Sequence, residues 1–176
     1  MNKIAPSAGQ KLPPLGPGGF RIVTKNIGIE KSETPEGMPG GRRFKVVMSS
    51  TIKDRRGAEI KPTALQKMRD QFQEGRTIFM DHVHTVENAF GTSDFAEIKN
   101  TGLTDPESGQ PIYDLIVAGI VNEPNARVST LADSLEGGYV KFGASIGVVV
   151  TKHKKNDSGA MDIWDVDTME GSIVGI

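Results

Sequence analysis

Residues 132–151 read ADSLEGGYVKFGASIGVVVT, and the part from Gly143 to Thr151 decides the fold class. As a string, Gly143-Ala-Ser-Ile-Gly147 matches the G-x-S-x-G elbow, in which a nucleophilic serine sits on a turn between a strand and a helix. Here the motif runs into Val148-Val149-Val150-Thr151, which is β-branched throughout and has the composition of a strand. The histidines able to serve Ser145 also come before it in the chain, whereas the hydrolase order puts the histidine last. The segment therefore reads as a β-strand carrying Ser145, and an α/β-hydrolase is excluded on context. Taken alone, Ser145 is a small residue packed in a sheet.

Outward from this strand, the chain alternates short apolar and polar pieces. Pro124–Glu136 reads as a helix, with Val128, Leu131, Ala132 and Leu135 on one face and Gly137-Gly138 as its stop. A second helix is expected over Lys61–Gly75, with Pro62 in the first turn and Leu65, Met68 and Phe72 on one face. Strands are expected at Phe44–Ser50, Thr77–Met80, Ala89–Lys99, Pro111–Val121, Tyr139–Thr151, Met161–Asp167 and Gly171–Ile176. The piece NTGLTDPESGQ joins the third and fourth of these as a hairpin with a loose loop, and Thr34–Gly41 reads as a long turn. Strands and helices do not alternate regularly, which argues against a doubly wound parallel sheet. The expected fold is α+β and mainly β: a distorted, mostly antiparallel barrel of six or seven strands flanked by two or more helices.

The length of 176 residues suits one domain, placed at residues 20–176 behind a disordered Pro/Gly-rich arm at residues 1–19. Lys and Arg number 21 against 22 Asp and Glu, so no basic excess supports general nucleic-acid binding. The longest apolar run, Leu115–Val121, is far short of the ~20 residues that span a bilayer, so no membrane partner is expected. The opening MNKIAPSAGQ lacks the apolar core of a secretory signal. With no cysteine, the chain has no disulfides, thiolate metal sites or cysteine nucleophile.

Two of the three histidines stand in Met80-Asp-His-Val-His84. In a strand, His82 and His84 would share a face about 6.6 Å apart. Such a pair suits a metal, as in small cupin-type barrels. The Glu and Gly spacings of that motif are missed, however, since Glu87 follows His84 too closely. A serine hydroxyl needs a base within hydrogen-bond reach, and the base works better when a third group holds its ring. The chain offers His82 or His84, then Ser145, then Glu170, each on or beside an expected strand. Asp165 and Asp167 are alternative orienting acids. His153 is a poor third member, because eight strand residues put it about 26 Å from Ser145.

Three ordered blocks carry a family resemblance: TIFMDHVHTVENAFG at 77–91, ADSLEGGYVKFGASIG at 132–147 and EGSIVGI at 170–176. They are separated by 63 residues from His82 to Ser145 and 25 from Ser145 to Glu170. Over roughly residues 44–176 the sequence resembles the prohead maturation proteases of tailed bacteriophages, which are related in fold to the herpesvirus assemblins. The resemblance implies a serine endopeptidase with Ser145 as nucleophile, His82 as general base and Glu170 as third member, needing no cofactor. It implies the scaffold protein, the major capsid protein precursor and the protease itself as substrates, inside the prohead in the host cytoplasm. It also suggests a homodimer. Gly143 and Gly147 are candidates for letting backbone N–H groups approach a substrate carbonyl. The family pattern usually runs on past the position of Ile176, as expected of a trimmed product. Two rival readings are an inactive capsid-assembly relative of the same fold and a small metal-binding barrel using His82 and His84.

Overall fold

The β-branched and aromatic runs do form strands, and each apolar helical stripe faces them. A computed structural model describes residues 19–25, 27–31, 41–54 and 57–175. The expected arm up to residue 18 and most of the turn at 34–41 lie outside these residues. In chain order the elements are β1 (Gly19–Lys25), β2 (Ile27–Lys31), β3 (Arg42–Ser50), β4 (Glu59–Ile60), α1 (Pro62–Gln73) and β5 (Thr77–Met80). There follow β6 (Ala89–Thr104), β7 (Pro111–Val121), α2 (Ala126–Glu136), β8 (Phe142–Lys155) and β9 (Met161–Gly175).

One sheet runs in the order β1-β8-β9-β5-β6-β7-β3-β2, with β4 added against β9. The pairings of β9 with β5 and with β4 are parallel, and the others are antiparallel. The two ends of the path, β1 and β2, are separated by a single residue of chain. No ladder joins them among the described residues, so the curled sheet is not closed by strand pairing there. This is the expected mainly-β α+β fold, a distorted barrel, with more strands than the six or seven expected.

The excess has local causes. β1, β2 and the two-residue β4 carry too short a pattern to be read without their partners. The pieces Met161–Asp167 and Gly171–Ile176 turn out to be one strand, β9. Glu170, between the two expected pieces, is 3% exposed and stays in the ladder opposite Gly147. β6 continues to Thr104, so the loop of the β6–β7 hairpin is shorter than expected. Asp105 organises it, accepting from the Glu107 N–H at 3.0 Å and the Ser108 N–H at 2.8 Å. α2 starts at Ala126 because the Asn125 side chain caps the Arg127 and Val128 N–H groups.

The core lies inside the curl. Phe44 and Phe90 meet edge to face at 5.8 Å, and Leu65, Met68 and Phe72 of α1 close one side against β6 and β9. From Gly143 to Val148 in β8 and from Glu170 to Val174 in β9, both faces of the strands are buried. Ala144, Ile146 and Ile173 belong to the hydrophobic core. The alternation of a strand then puts Ser145, Gly147, Glu170 and Ser172 on the opposite face. Among the described residues no helix is long and apolar enough to cross a membrane.

Candidate active site

Two adjacent strands and one turn build the site. In the β8–β9 ladder Ser145 is directly opposite Ser172, and Gly147 is opposite Glu170, with no register shift between the two pairs. Directly opposed side chains share a face, so Ser145 and Glu170 are diagonal neighbours, about 7–8 Å apart at Cα. Gly147 leaves room here for the Glu170 side chain. A Cβ at this position would stand 2.8 Å from Glu170 Oε1 and 3.1 Å from its Cγ, so the carboxylate lies over the bare glycine.

The turn comes from the other side. β5 pairs in parallel with β9, and Asp81 N–H extends that pairing to the Ile173 carbonyl at 2.9 Å. The chain then reverses sharply: Val83 N–H donates to the Met80 carbonyl at 3.1 Å, across Asp81 (φ 52°) and His82 (φ 60°). Two successive positive φ values make this a type I′ turn. For residues other than glycine the left-handed region costs about 1–2 kcal/mol each. That strain lifts His82 off the strand line and folds its ring inward, to 5% side-chain exposure.

His82 Nδ1 is hydrogen-bonded to Glu170 Oε1. A carboxylate only accepts, so Nδ1 carries the proton, and in the neutral form of the ring Nε2 is an acceptor. Nε2 is buried and has no hydrogen-bond partner among the described residues; the same is true of Ser145 Oγ. Leaving such a group unsatisfied costs about 1–3 kcal/mol. A hydroxyl donor and a ring-nitrogen acceptor are complementary, and each would satisfy the other.

Glu170 Oε2 accepts from the Ser172 hydroxyl, and His84 Nε2 stands 3.6 Å from the same oxygen. Burial pushes the Glu170 carboxyl up, but hydrogen bonds from His82 and Ser172 and the charges of the two histidines outweigh it. The group titrates below its ordinary value of 4.5 and is ionised at neutral pH. A depressed folded-state value contributes stability above about pH 4.5, lost as pH falls through the folded value. Urea midpoints should therefore fall more steeply on acidification for the wild type than for Glu170→Gln. Equal acid slopes for the two would contradict the ionised carboxylate.

The other candidates are elsewhere. His84 is 54% exposed and stacks on Phe79 at 4.7 Å. Asp165 accepts from the Thr151 hydroxyl and pairs with Lys67 at 3.2 Å, and Asp167 pairs with Lys67 at 2.9 Å, so both are committed to α1. His153 is exposed far along β8, opposite Ile163, and Glu87 is exposed on a 3-10 turn. No group of three or more His, Asp or Glu among the described residues is arranged to hold a metal ion. Gly143 and Gly147 lie on a strand flanked by β1 and β9, whose ladders engage this backbone on both sides, so neither is free to receive a substrate carbonyl. Two features escaped the sequence reading: the room that Gly147 leaves for Glu170 and the contact of Ser172. The same-face i, i+2 spacing of Glu170 and Ser172 was the available signal.

Gly147→Ala should displace the carboxylate from His82 and lower reactivity at Ser145 about 100-fold, as expected for a misplacement near 1 Å. The labelling rate with a fluorophosphonate checks this, and an unchanged rate would show that the close approach has no consequence.

No family model and no curated protein matches this chain. Among solved structures, the capsid assembly protease of bacteriophage T4 matches it with a TM-score of 0.61 at 9% identity, over 90% of this chain and 98% of that one. The two proteins share a fold.

Proposed function

We propose, starting from the fold shared with a phage capsid assembly protease, that this chain is a serine endopeptidase of prohead maturation. The observation that carries the reading is the buried His82–Glu170 pair beside the sheet face that also bears Ser145; His82 Nε2 and Ser145 Oγ are both buried without a hydrogen-bond partner among the described residues. A fold alone does not specify chemistry, so the argument rests on this site.

In the proposed cycle His82 Nε2 takes the Ser145 proton as Oγ attacks a peptide carbonyl. The imidazolium that forms is stabilised by Glu170. His82 then gives the proton to the leaving amine as the C–N bond breaks, leaving an acyl-serine. Water, deprotonated by the same nitrogen, adds to that ester, and Oγ leaves with the proton. Ser145 is fully buried, so the reactive conformation must also expose it to substrate. The substrates are the scaffold protein, the precursor segment of the major capsid protein and the protease itself, cut inside the prohead within the host cytoplasm.

Co-expression with the scaffold and capsid proteins of the same phage tests the reading by intact mass. Defined new fragments, together with fluorophosphonate labelling at Ser145 followed over hours, are expected. Unprocessed partners and an unlabelled protein would mean a non-catalytic relative of the same fold.

A further inference from the structure

We propose that Ser172 is a positioning residue, whose hydroxyl fixes the Glu170 carboxylate so that Oε1 faces His82. This rests on the protease reading above and concerns the same site.

Glu170 has three side-chain torsions, and its carboxylate lies over bare Gly147 with no β8 side chain there to hold it. Two groups compete for it. His82 is bonded to Oε1, while the exposed His84 stands 3.6 Å from Oε2. A carboxylate turned towards His84 would lose its alignment with the His82 Nδ1–H. Ser172 opposes this. It is fully buried, occupies the same face two residues along β9, and donates its hydroxyl to Oε2. With Oε2 held, Oε1 is left for His82. Rotamers locked by surrounding hydrogen bonds are what keep a catalytic constellation in its productive geometry.

The same geometry separates the roles of the two serines. Ser172 and Ser145 are direct cross-strand partners, yet the Ser172 proton is committed to a carboxylate, whereas Ser145 Oγ has no partner among the described residues. Ser172 therefore acts through Glu170 and touches no substrate.

The test is the second-order rate of fluorophosphonate labelling in five proteins: wild type, Ser172→Ala, Ser172→Thr, Glu170→Ala and the Ser172→Ala/Glu170→Ala double variant. Melting temperatures are measured in parallel. Ser172→Ala should label about 10- to 100-fold more slowly than wild type. The threonine variant, which keeps the hydroxyl, should recover to within a few-fold. Adding Ser172→Ala to Glu170→Ala should change the rate less than about twofold, because the route through Glu170 is already gone. A general packing defect would give the same loss in both backgrounds, and that result overturns the proposal. So does labelling of Ser172→Ala at the wild-type rate, or a threonine variant as slow as alanine at an unchanged melting temperature. A wild type that never labels, or labels equally after Ser145→Ala, refutes the protease reading instead.

Discussion

Ser145→Ala is expected to reduce cleavage of co-expressed capsid and scaffold proteins to background, a loss on the order of 10⁵-fold or more, while the fold stays intact. The size follows from the chemistry. In the proposed cycle the hydroxyl forms the covalent bond, and removing a serine nucleophile elsewhere costs about 10⁶-fold in turnover. Stability should move the other way. Ser145 Oγ is buried without a hydrogen-bond partner among the described residues, so its removal deletes an unsatisfied group and strands no new one. A modest rise in melting temperature, equivalent to about 1 kcal/mol, is the expected direction. Lost activity with a raised melting temperature would separate a catalytic serine from a structural one. Full processing by the variant would remove Ser145 from the mechanism.

The second large effect separates the two neighbouring histidines. His82→Ala should lower labelling of Ser145 about 10⁴-fold or more, since it removes the proposed base for the serine proton. It should also destabilise the fold, because Glu170 stays buried after losing the partner on Oε1; breaking a buried pair costs about 3 kcal/mol. His84→Ala should stay within about threefold of wild type. That ring is half exposed, stacks on Phe79 and reaches Glu170 only at 3.6 Å. Labelling rates and denaturant midpoints of the two variants check both statements. A large loss in His84→Ala with a mild one in His82→Ala would exchange their roles.

The strain at Asp81 and His82 explains why the two histidines differ so much. An extended strand would place both side chains on one face, as the sequence suggests. The type I′ turn breaks that parity, because a residue at positive φ no longer follows the alternation of its strand. His82 is turned inward and His84 outward against Phe79. Met80-Asp-His-Val-His84 announces this only in part, since Asp81 suits the first central position of such a turn but His82 stands where the turn prefers glycine. The parallel pairing of β5 with β9 holds it, through Asp81 N–H and the Ile173 carbonyl.

Local interactions made much of the protein legible in one dimension. Thr77–Met80 and Pro111–Val121 are strands with the bounds read from the sequence, and α1 buries Leu65, Met68 and Phe72 as their spacing requires. Val148 to Thr151 ruled out a hydrolase elbow, because β-branching is a property of each residue taken alone. The residue types for acyl transfer were visible for the same reason. Partnership was not. His82 and Glu170 are 88 residues apart, and their contact depends on register: a shift of one residue in β9 would turn Glu170 into the core and Gly171 towards the histidine. That Glu170 rather than Asp165 or Asp167 meets a histidine, that His82 rather than His84 bonds it, and that Ser172 donates to it all follow from that register and from one strained turn. Both are settled by the packing of the whole sheet, and no local pattern carries them.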